Sequence, residues 1–226
     1  MAKTNLRGWL CAVLLLAATC VQASVNIIPK PTLVKEGKGF FLVTDGMNIG
    51  VNDPALADAA DYLKQMIARA TGFQDLAVRR GEGHISLLLQ PAADPEDESY
   101  TLTVSSSRIT IKAGTYRGVV NGISTLRQLL PDEIESREPV KGIRWTVPLV
   151  QVQDKPAYHW RGLMLDPSRH FYSVEETEQF LDHMALYKYN KFHWHLTDGV
   201  AWRLQINRYP LLTQRGAWRE FRQDID

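Results

Sequence analysis

The segment from Trp160 to Trp202 constrains the fold of this chain more than any other. It contains two short apolar runs, Gly162 to Leu165 and Phe192 to Leu196, and each run ends close to an acidic residue. Short apolar runs bounded by polar residues are typical of buried strands. The stretch between them is long enough for a helix, so the segment predicts a strand, a helix and a second strand.

Ser173 and Glu176 mark the start of the predicted helix. They have the spacing of a capping box, in which the serine hydroxyl accepts from the Glu176 N–H and the carboxylate accepts from the Ser173 N–H. A helix over about residues 174–187 places five apolar side chains on one face. These are Val174, Phe180, Leu181, Met184 and Tyr187.

Four polar residues follow the two predicted strands: Asp166, Arg169, His170 and Asp198. The strands of a βαβ unit are parallel, and binding groups collect beyond their carboxyl ends. We therefore expect these four residues at one rim. The same residues also suit a simpler interpretation, as loop caps and a solvated ion pair, because βαβ units are common.

The RGLMLDPSRHFYSVEE segment and the MALYKYNKFHWHLTD segment after it are similar to the first two strands of the catalytic barrel of family 20 glycoside hydrolases, the β-N-acetylhexosaminidases. The residues before them resemble the N-terminal α/β domain of that family more loosely. The resemblance implies an α/β protein in two parts. The first is an N-terminal α+β domain, a mostly antiparallel sheet with two helices, and the second is the first two β/α units of a truncated (β/α)8 TIM barrel.

Arg169 and Asp198 take site roles by this resemblance. The arginine of the SRH motif holds hydroxyls of the non-reducing-end sugar, and a planar guanidinium suits two adjacent hydroxyls. The alternative for Arg169 is an ion pair with Asp166. The family's counterpart of Asp198 supports the general acid through a histidine from a later strand, and many relatives have a second Asp where this chain has Gly199.

His193 and His195 also suit the H-x-H metal site of amidohydrolases. Strand alternation would place both on the face opposite Asp198, so the three would not converge without a bulge. We therefore predict no metal ligand, and place His195 close to the substrate. The resemblance implies no cofactor.

Three tryptophans and one further arginine complete the candidates. Trp194 is interpreted as barrel core, whereas Trp202 and Trp218 fall in loops and are open to sugar stacking or to structural roles, with Trp202 retained as a substrate-binding candidate. Arg161 precedes the first strand, so we expect it at the opposite rim in a structural pair.

The N-terminus has the pattern of an export signal. Lys3 and Arg7 precede an apolar run, and cleavage is predicted after Ala23, so residues 1–23 form a signal peptide. Lipidation at Cys20 is the alternative, although the preceding residues make a poor lipobox. Removal of this leader takes away two basic residues and changes the formal net charge from +1 to −1. A charge so close to zero gives no indication of nucleic-acid binding. The run is too short to span a membrane.

Residues 24–152 are predicted to form the N-terminal domain. Expected strands lie at 40–43, 48–51, 84–89, 100–104 and 109–112, and expected helices at 54–72 and 116–130. The apolar positions on the helices' inner faces are Leu56, Ala60, Leu63, Ile67 and Ala70, then Val119, Ile123, Leu126 and Leu130. His84 is expected inside a strand as a structural histidine, residues 91–99 as an acidic loop, and the VQVQDKP segment from Val150 as a polar boundary.

Residues 153–226 are predicted to begin the barrel. A complete barrel takes roughly 250 residues, so only about a quarter fits here. The resulting hypothesis is an exported exo-β-N-acetylhexosaminidase that acts on an amino-sugar-terminated glycan or chitooligosaccharide by a substrate-assisted retaining mechanism. Its Asp-Glu pair belongs to a later strand, and Asp132-Glu133 lies in the wrong domain. The alternatives are a non-catalytic truncated product or sugar-binding remnant, and a metal-dependent amidohydrolase.

Overall fold

A seven-stranded mixed sheet forms the first part of the computed structural model, which describes residues 25–218. In spatial order the strands are β1-β7-β5-β6-β4-β2-β3. Pairing is antiparallel from β1 to β6 and parallel from β6 to β3. The prediction of a mostly antiparallel sheet is therefore wrong. The strands are β1 Leu33–Leu42, β2 Asn48–Val51, β3 Ala77–Arg80, β4 Ile85–Leu89, β5 Tyr100–Val104, β6 Ile109–Ala113 and β7 Thr146–Asp154.

The parallel half follows from a helical crossover. Helix α1 (Ala57–Thr71) connects β2 to β3, and a connection of this kind returns the chain in the same direction. A short 3-10 turn at Pro54–Leu56 precedes α1, and Gly72 ends it in the left-handed conformation at φ 75°. This agrees with the predicted helix bounds.

Helix α2 (Tyr116–Leu129) lies on the sheet beside α1. Thr115 caps its first turn by accepting from the Gly118 N–H. All nine apolar positions predicted for the inner faces of the two helices are at most 6% exposed, which confirms both stripes.

Two strands of the sheet were not predicted as strands. β3 reads Ala-Val-Arg-Arg, and its polar residues suit an edge, where side chains remain in water. β7 includes Val150–Asp154, so the segment interpreted as a polar boundary is a strand between β1 and β5. The alternation of valine with glutamine places Val150 and Val152 in the core and Gln151 and Gln153 on the outer face.

The predicted βαβ unit is present after this sheet. Strand β8 (Gly162–Leu165) and strand β9 (Lys191–Trp194) are parallel neighbours, with helix α3 (Val174–Leu186) between them in sequence. The chain continues into a two-residue hairpin, β10 (Thr197–Asp198) with β11 (Ala201–Trp202), and a short helix α4 (Leu211–Gln214).

The capping box of α3 is confirmed, but its apolar stripe is not. Ser173 and Glu176 exchange both bonds, at 2.7 Å from the Ser173 N–H and 3.2 Å from the Glu176 N–H. Met184 is buried, whereas Val174 is 75% exposed and Leu181 and Tyr187 are each 40% exposed. Two four-residue strands present too narrow a surface to cover the whole predicted stripe.

A buried ion pair joins the βαβ unit to the sheet. Lys188, which follows α3, is 3% exposed, and its ammonium donates to the Asp154 carboxylate at 3.0 Å and to the Tyr100 hydroxyl at 2.8 Å. Burial lowers the pKa of Lys188, and the Asp154 charge opposes that shift. Lys188 also has a left-handed backbone, at φ 61°, a conformation that costs a residue other than glycine some energy.

A second polar cluster joins the same two parts. Arg161 pairs with Glu98 from the acidic loop, and Asn190 donates to the same carboxylate at 3.0 Å. Arg161 also donates to the Lys188 carbonyl oxygen at 2.7 Å. The expected structural pairing of Arg161 is thus confirmed, with a partner in the N-terminal sheet region.

His84 lies just before β4 and is exposed, so its placement inside the strand is corrected. Its Nδ1 accepts from the Asn48 N–H at 3.1 Å, which is a structural role.

Among residues 25–218, no helix has the length and apolar character needed to cross a membrane. The signal peptide predicted at 1–23 lies outside the described residues.

Candidate functional site

The site is built where β8 and β9 end. The N–H of His195, one residue past β9, donates to the carbonyl oxygen of Leu165, the last residue of β8, at 2.9 Å, so the parallel register continues to the end of the pair. Met164 is paired with His193 in the ladder, and alternation places Asp166 and His195, two residues further on, on that same face. Phe192 points the other way and contacts Phe180 of α3, with ring centroids 5.9 Å apart. The site therefore lies on the face away from the helix.

Arg169 lies between two carboxylates at this edge. Its Nη1 is 3.0 Å from an Asp166 oxygen and its Nη2 is 2.9 Å from an Asp198 oxygen. The Asp166 carboxylate also accepts from the Arg169 backbone N–H at 3.1 Å, which closes a tight turn. The Arg169 side chain remains 53% exposed, so a guanidinium with fixed orientation faces solvent. The ion pair with Asp166, the alternative role predicted for Arg169, is present.

His195 completes the cluster. Its Nε2 is 3.0 Å from the Asp198 oxygen that Arg169 contacts, and 3.2 Å from the Arg169 Nη1. One ring nitrogen cannot donate and accept at once. Because a carboxylate only accepts and a guanidinium only donates, the Asp198 contact requires a proton on Nε2. We therefore place a proton on Nε2, since this satisfies the charged acceptor.

Both carboxyl groups are held in the ionised form. Partial desolvation of Asp166 opposes ionisation, but the hydrogen bonds and charge of Arg169 outweigh it and lower the pKa of Asp166. The Gly199 N–H, which donates at 2.6 Å, and then His195 lower the pKa of Asp198. The cluster thus combines two anionic side chains with one permanent cation.

The expectation that strand alternation would place His195 and Asp198 on opposite faces is wrong, because the two side chains are in contact. It assumed a strand that continues to Leu196, whereas β9 ends at Trp194 and Asp198 belongs to the hairpin β10–β11. Once regular alternation stops, the chain turns and brings Asp198 back to His195.

His170, expected at the same rim, is exposed and makes an edge-on contact with Tyr172, with ring centroids 5.0 Å apart.

His193 stacks on His195, with ring centroids 6.0 Å apart and planes 15° from parallel. In the part of the chain that the structure describes, no group of three or more histidine, cysteine, aspartate or glutamate side chains is arranged to hold a metal ion.

The tryptophans occupy different environments. Trp194 is 49% exposed and contacts Phe192, so its interpretation as core is not met in the described structure, where two strands and one helix give little cover. Trp202 is half-buried in the hairpin, and its indole N–H donates to the Leu204 carbonyl oxygen at 2.6 Å. Trp218 is 79% exposed.

Sequence reasoning missed the residues that support the Arg169 loop. Ser168 is fully buried and donates to the Ala201 carbonyl oxygen at 2.9 Å. Arg203 donates through Nε to the Pro167 carbonyl oxygen at 2.5 Å and through Nη1 to the Ala217 carbonyl oxygen at 3.0 Å. Their partners are carbonyl oxygens, which every residue has, so the side-chain pattern carried no signal for these contacts.

Two family models match this chain. The one described as glycosyl hydrolase family 20, domain 2, matches residues 24–155, and the one for the catalytic domain of the same family matches residues 158–225. The strands and helices described above fit an N-terminal domain followed by the start of a TIM barrel.

Curated relatives and solved structures agree with these matches. A "Beta-hexosaminidase" of Porphyromonas gingivalis is 38% identical over 199 residues, which are 86% of this chain and 25% of that protein. A "Beta-N-acetylhexosaminidase" of Cellulomonas fimi is 32% identical over 85% of this chain and 38% of that protein. The Streptomyces plicatus N-acetyl-β-hexosaminidase in complex with Thio-NAglucal superposes with a TM-score of 0.75 at 38% identity, over 84% of this chain and 38% of that one.

The chain therefore spans well under half the length of these relatives. The two family models together cover nearly all the described residues, and the elements that they cover carry the polar cluster at the ends of β8 and β9. This chain belongs to glycosyl hydrolase family 20.

Proposed function

We propose that this chain is the N-terminal part of an exported exo-β-N-acetylhexosaminidase, in which β8, α3 and β9 begin a (β/α)8 barrel. The observation that carries the proposal is the geometry of Arg169, held by Asp166 and Asp198 at the carboxyl ends of two parallel strands. The carboxyl ends of barrel strands are where substrates bind in this fold. The signal peptide predicted at residues 1–23 is the basis for the proposed location.

Arg169 is proposed to bind the terminal sugar. A guanidinium presents its N–H groups in a rigid plane, which suits two adjacent hydroxyl oxygens as acceptors. Contacts to two carboxylates fix the plane before the sugar arrives, so less side-chain entropy is lost on binding. Its 53% exposure leaves the guanidinium accessible from solvent.

Asp198 and His195 are proposed to orient the site rather than to react. Asp198 accepts from both Arg169 and His195 through one oxygen, and its other oxygen accepts from Gly199. An aspartate with these partners holds the imidazole in one tautomer and the guanidinium in one plane. Trp202, which is half-buried in the hairpin, is retained as a candidate platform for a sugar face.

The proposed reaction is substrate-assisted. The acetamido oxygen of the substrate attacks the anomeric carbon while a general acid protonates the departing glycosidic oxygen, and water then opens the cyclic intermediate with net retention. The resemblance assigns the Asp-Glu pair of this step to a later barrel strand. Asp132 and Glu133 lie in a 3-10 turn after α2 and are not assigned to it.

The test is the turnover of an aryl β-N-acetylglucosaminide by the full-length product of the gene. We expect the β-anomer of N-acetylglucosamine to appear first in the proton NMR spectrum, and activity to survive chelation. Residues 24–226 alone are expected to be inactive. The α-anomer as first product, or activity lost with a stoichiometric metal, would refute the mechanism. Sugar binding with no turnover in the full-length protein would favour a sugar-binding remnant.

A further inference from the structure

We propose that Arg203 is a positioning residue: it fixes the loop that carries Arg169, and so determines how accurately Arg169 is placed to bind the terminal sugar. The inference rests on the proposed function, because it assigns a purpose to the location of Arg169. Its own basis is a set of contacts between two loops that the sequence keeps more than 30 residues apart.

Arg203 contacts the Arg169 loop on both sides of Arg169. Its Nε donates to the carbonyl oxygen of Pro167 at 2.5 Å, and its guanidinium lies over the ring of Phe171, 5.1 Å from the ring centroid. Pro167 and Phe171 are each two residues from Arg169, one before it and one after it. One side chain therefore restrains both ends of the short segment that presents the sugar-binding candidate.

Arg203 is itself anchored to the rest of the fold. Its backbone N–H donates to the Leu196 carbonyl oxygen at 2.9 Å, just beyond β9. Its Nη1 donates to the Ala217 carbonyl oxygen at 3.0 Å. The guanidinium thus connects the loop after β8 to the segment that follows the hairpin.

Ser168 reinforces the same connection. It is fully buried, and its hydroxyl donates to the carbonyl oxygen of Ala201 in β11 at 2.9 Å. Within the Arg169 loop, the Asp166 carboxylate accepts from Arg169, and the Asp166 carbonyl oxygen accepts from the His170 N–H at 3.3 Å, which closes a turn. The turn gives the loop its shape, whereas the contacts to Ser168 and Arg203 fix its place relative to β9 and the hairpin.

A small displacement of this loop matters for catalysis. A reactive group that is misplaced by about 1 Å can lower a rate by about a hundredfold. Lysine cannot replace Arg203 in this role, because Arg203 reaches the two carbonyl oxygens through different nitrogens, Nε and Nη1. The donors of lysine share one nitrogen, and an ammonium has no planar face to lie over the Phe171 ring. The expected defect of Arg203→Lys is a loosely placed Arg169 in a folded protein.

The test is a double-mutant cycle in the full-length protein, measured as kcat/KM on an aryl β-N-acetylglucosaminide. We expect Arg203→Lys to lower kcat/KM by about tenfold or more, since less accurate positioning weakens at least one charged hydrogen bond to the sugar. In an Arg169→Lys background, Arg203→Lys should change kcat/KM by less than about twofold, because residues that act through one another are not additive. Additive losses would refute the positioning role.

The control is Arg208→Lys, in the same segment, whose guanidinium lies 6.0 Å from the Tyr209 ring centroid. We expect it to leave kcat/KM unchanged. A second readout needs no activity: trypsin should cut the Arg169–His170 bond faster in Arg203→Lys than in Arg208→Lys. If the wild type is inactive but this difference in cleavage is seen, the proposed function is refuted and the positioning of the Arg169 loop by Arg203 is retained. Equal cleavage rates in the two variants would refute that positioning role.

Discussion

At the scale of single residues, the guanidinium of Arg169 lies between two carboxylates, and His195 contacts one of them. Arg169 and Asp198 were identified from the motifs around them, and they do lie together. The contact of His195 with Asp198 was not foreseen, because an ideal strand places residues 195 and 198 on opposite faces. Where a strand ends depends on its neighbours, and the local sequence does not encode that.

Arg169→Lys in the full-length protein should lower kcat/KM by about ten- to hundredfold, since loss of a charged hydrogen bond to substrate typically costs about 1.5–3 kcal/mol. Part of the loss should appear in kcat, because binding energy is used to distort the sugar. Steady-state kinetics and thermal unfolding of the same samples separate this effect from misfolding.

The matched control for Arg169→Lys is Arg137→Lys, at an exposed arginine. Arg161 does not serve, because its side chain is 14% exposed and paired with Glu98, so its replacement would disturb folding. Wild-type kinetics in Arg169→Lys would remove the sugar-binding assignment.

At the scale of elements, helical periodicity predicted the buried face correctly where the helix lies on a complete sheet. α1 and α2 have the predicted stripes because seven strands cover them. α3 has the predicted cap but an exposed stripe, because burial depends on the surface available and capping does not. β7 was missed for a similar reason. Its alternating glutamines made the segment read as a polar boundary, whereas in the sheet they lie on the outer face of a strand whose valines are buried.

Gly118→Ala should destabilise the fold although alanine favours helices. A Cβ at this position of α2 would lie 2.5 Å from the Ser99 carbonyl oxygen and 2.7 Å from the Ala113 Cβ. The helical preference gains about 1 kcal/mol, while overpacking costs about 1–3 kcal/mol, so we expect a net loss. Urea denaturation measures it. Gln65→Ala, at an exposed position of α1, should change stability by less than about 0.5 kcal/mol, and a more stable Gly118→Ala would contradict the close packing.

Glu176→Gln should flatten the acid dependence of stability. The Ser173 backbone N–H and then its hydroxyl lower the pKa of Glu176 in the folded state below its ordinary value of 4.5. The unfolded chain therefore binds more protons in that range, so this contribution is present above pH 4.5 and lost as the pH falls through the folded value. Glutamine keeps the acceptor of the capping box without titrating. Melting temperatures from pH 3 to pH 7 test this, and identical pH profiles would count against it.

At the scale of the whole molecule, the N-terminal sheet and the βαβ unit are connected by buried charge as well as by packing. The Ser124 hydroxyl and the Gln128 side chain donate to the carbonyl oxygens of Ala185 and Leu186, at 2.8 and 3.0 Å, so α2 also holds the last turn of α3. These contacts lie near the end of α3 and the start of β9, away from the Arg169 cluster. The acidic loop predicted at residues 91–99 supplies Glu98 to this interface.

Asp154→Asn should be strongly destabilising. It leaves the Lys188 ammonium, 3% exposed, without its counter-charge, and removal of one partner from a buried pair typically costs about 3–5 kcal/mol. Arg137→Ala breaks an exposed pair with Glu175 between the same two parts and should cost less than about 1 kcal/mol. Chemical denaturation of both variants gives the comparison, and equal costs would mean that burial does not matter at this interface.

The position of β7 determines the order in which the sheet can be completed during synthesis. β1 ends at Leu42, and among the described residues its ladder partner is β7, which is complete only at Asp154. A chain emerging from the ribosome therefore carries β1 unpaired until the last of the seven strands has been translated, and contacts so distant in sequence form slowly. Any nascent chain stopped before Thr146 lacks the strand that joins β1 to β5, leaving two separate edges open to association with other chains.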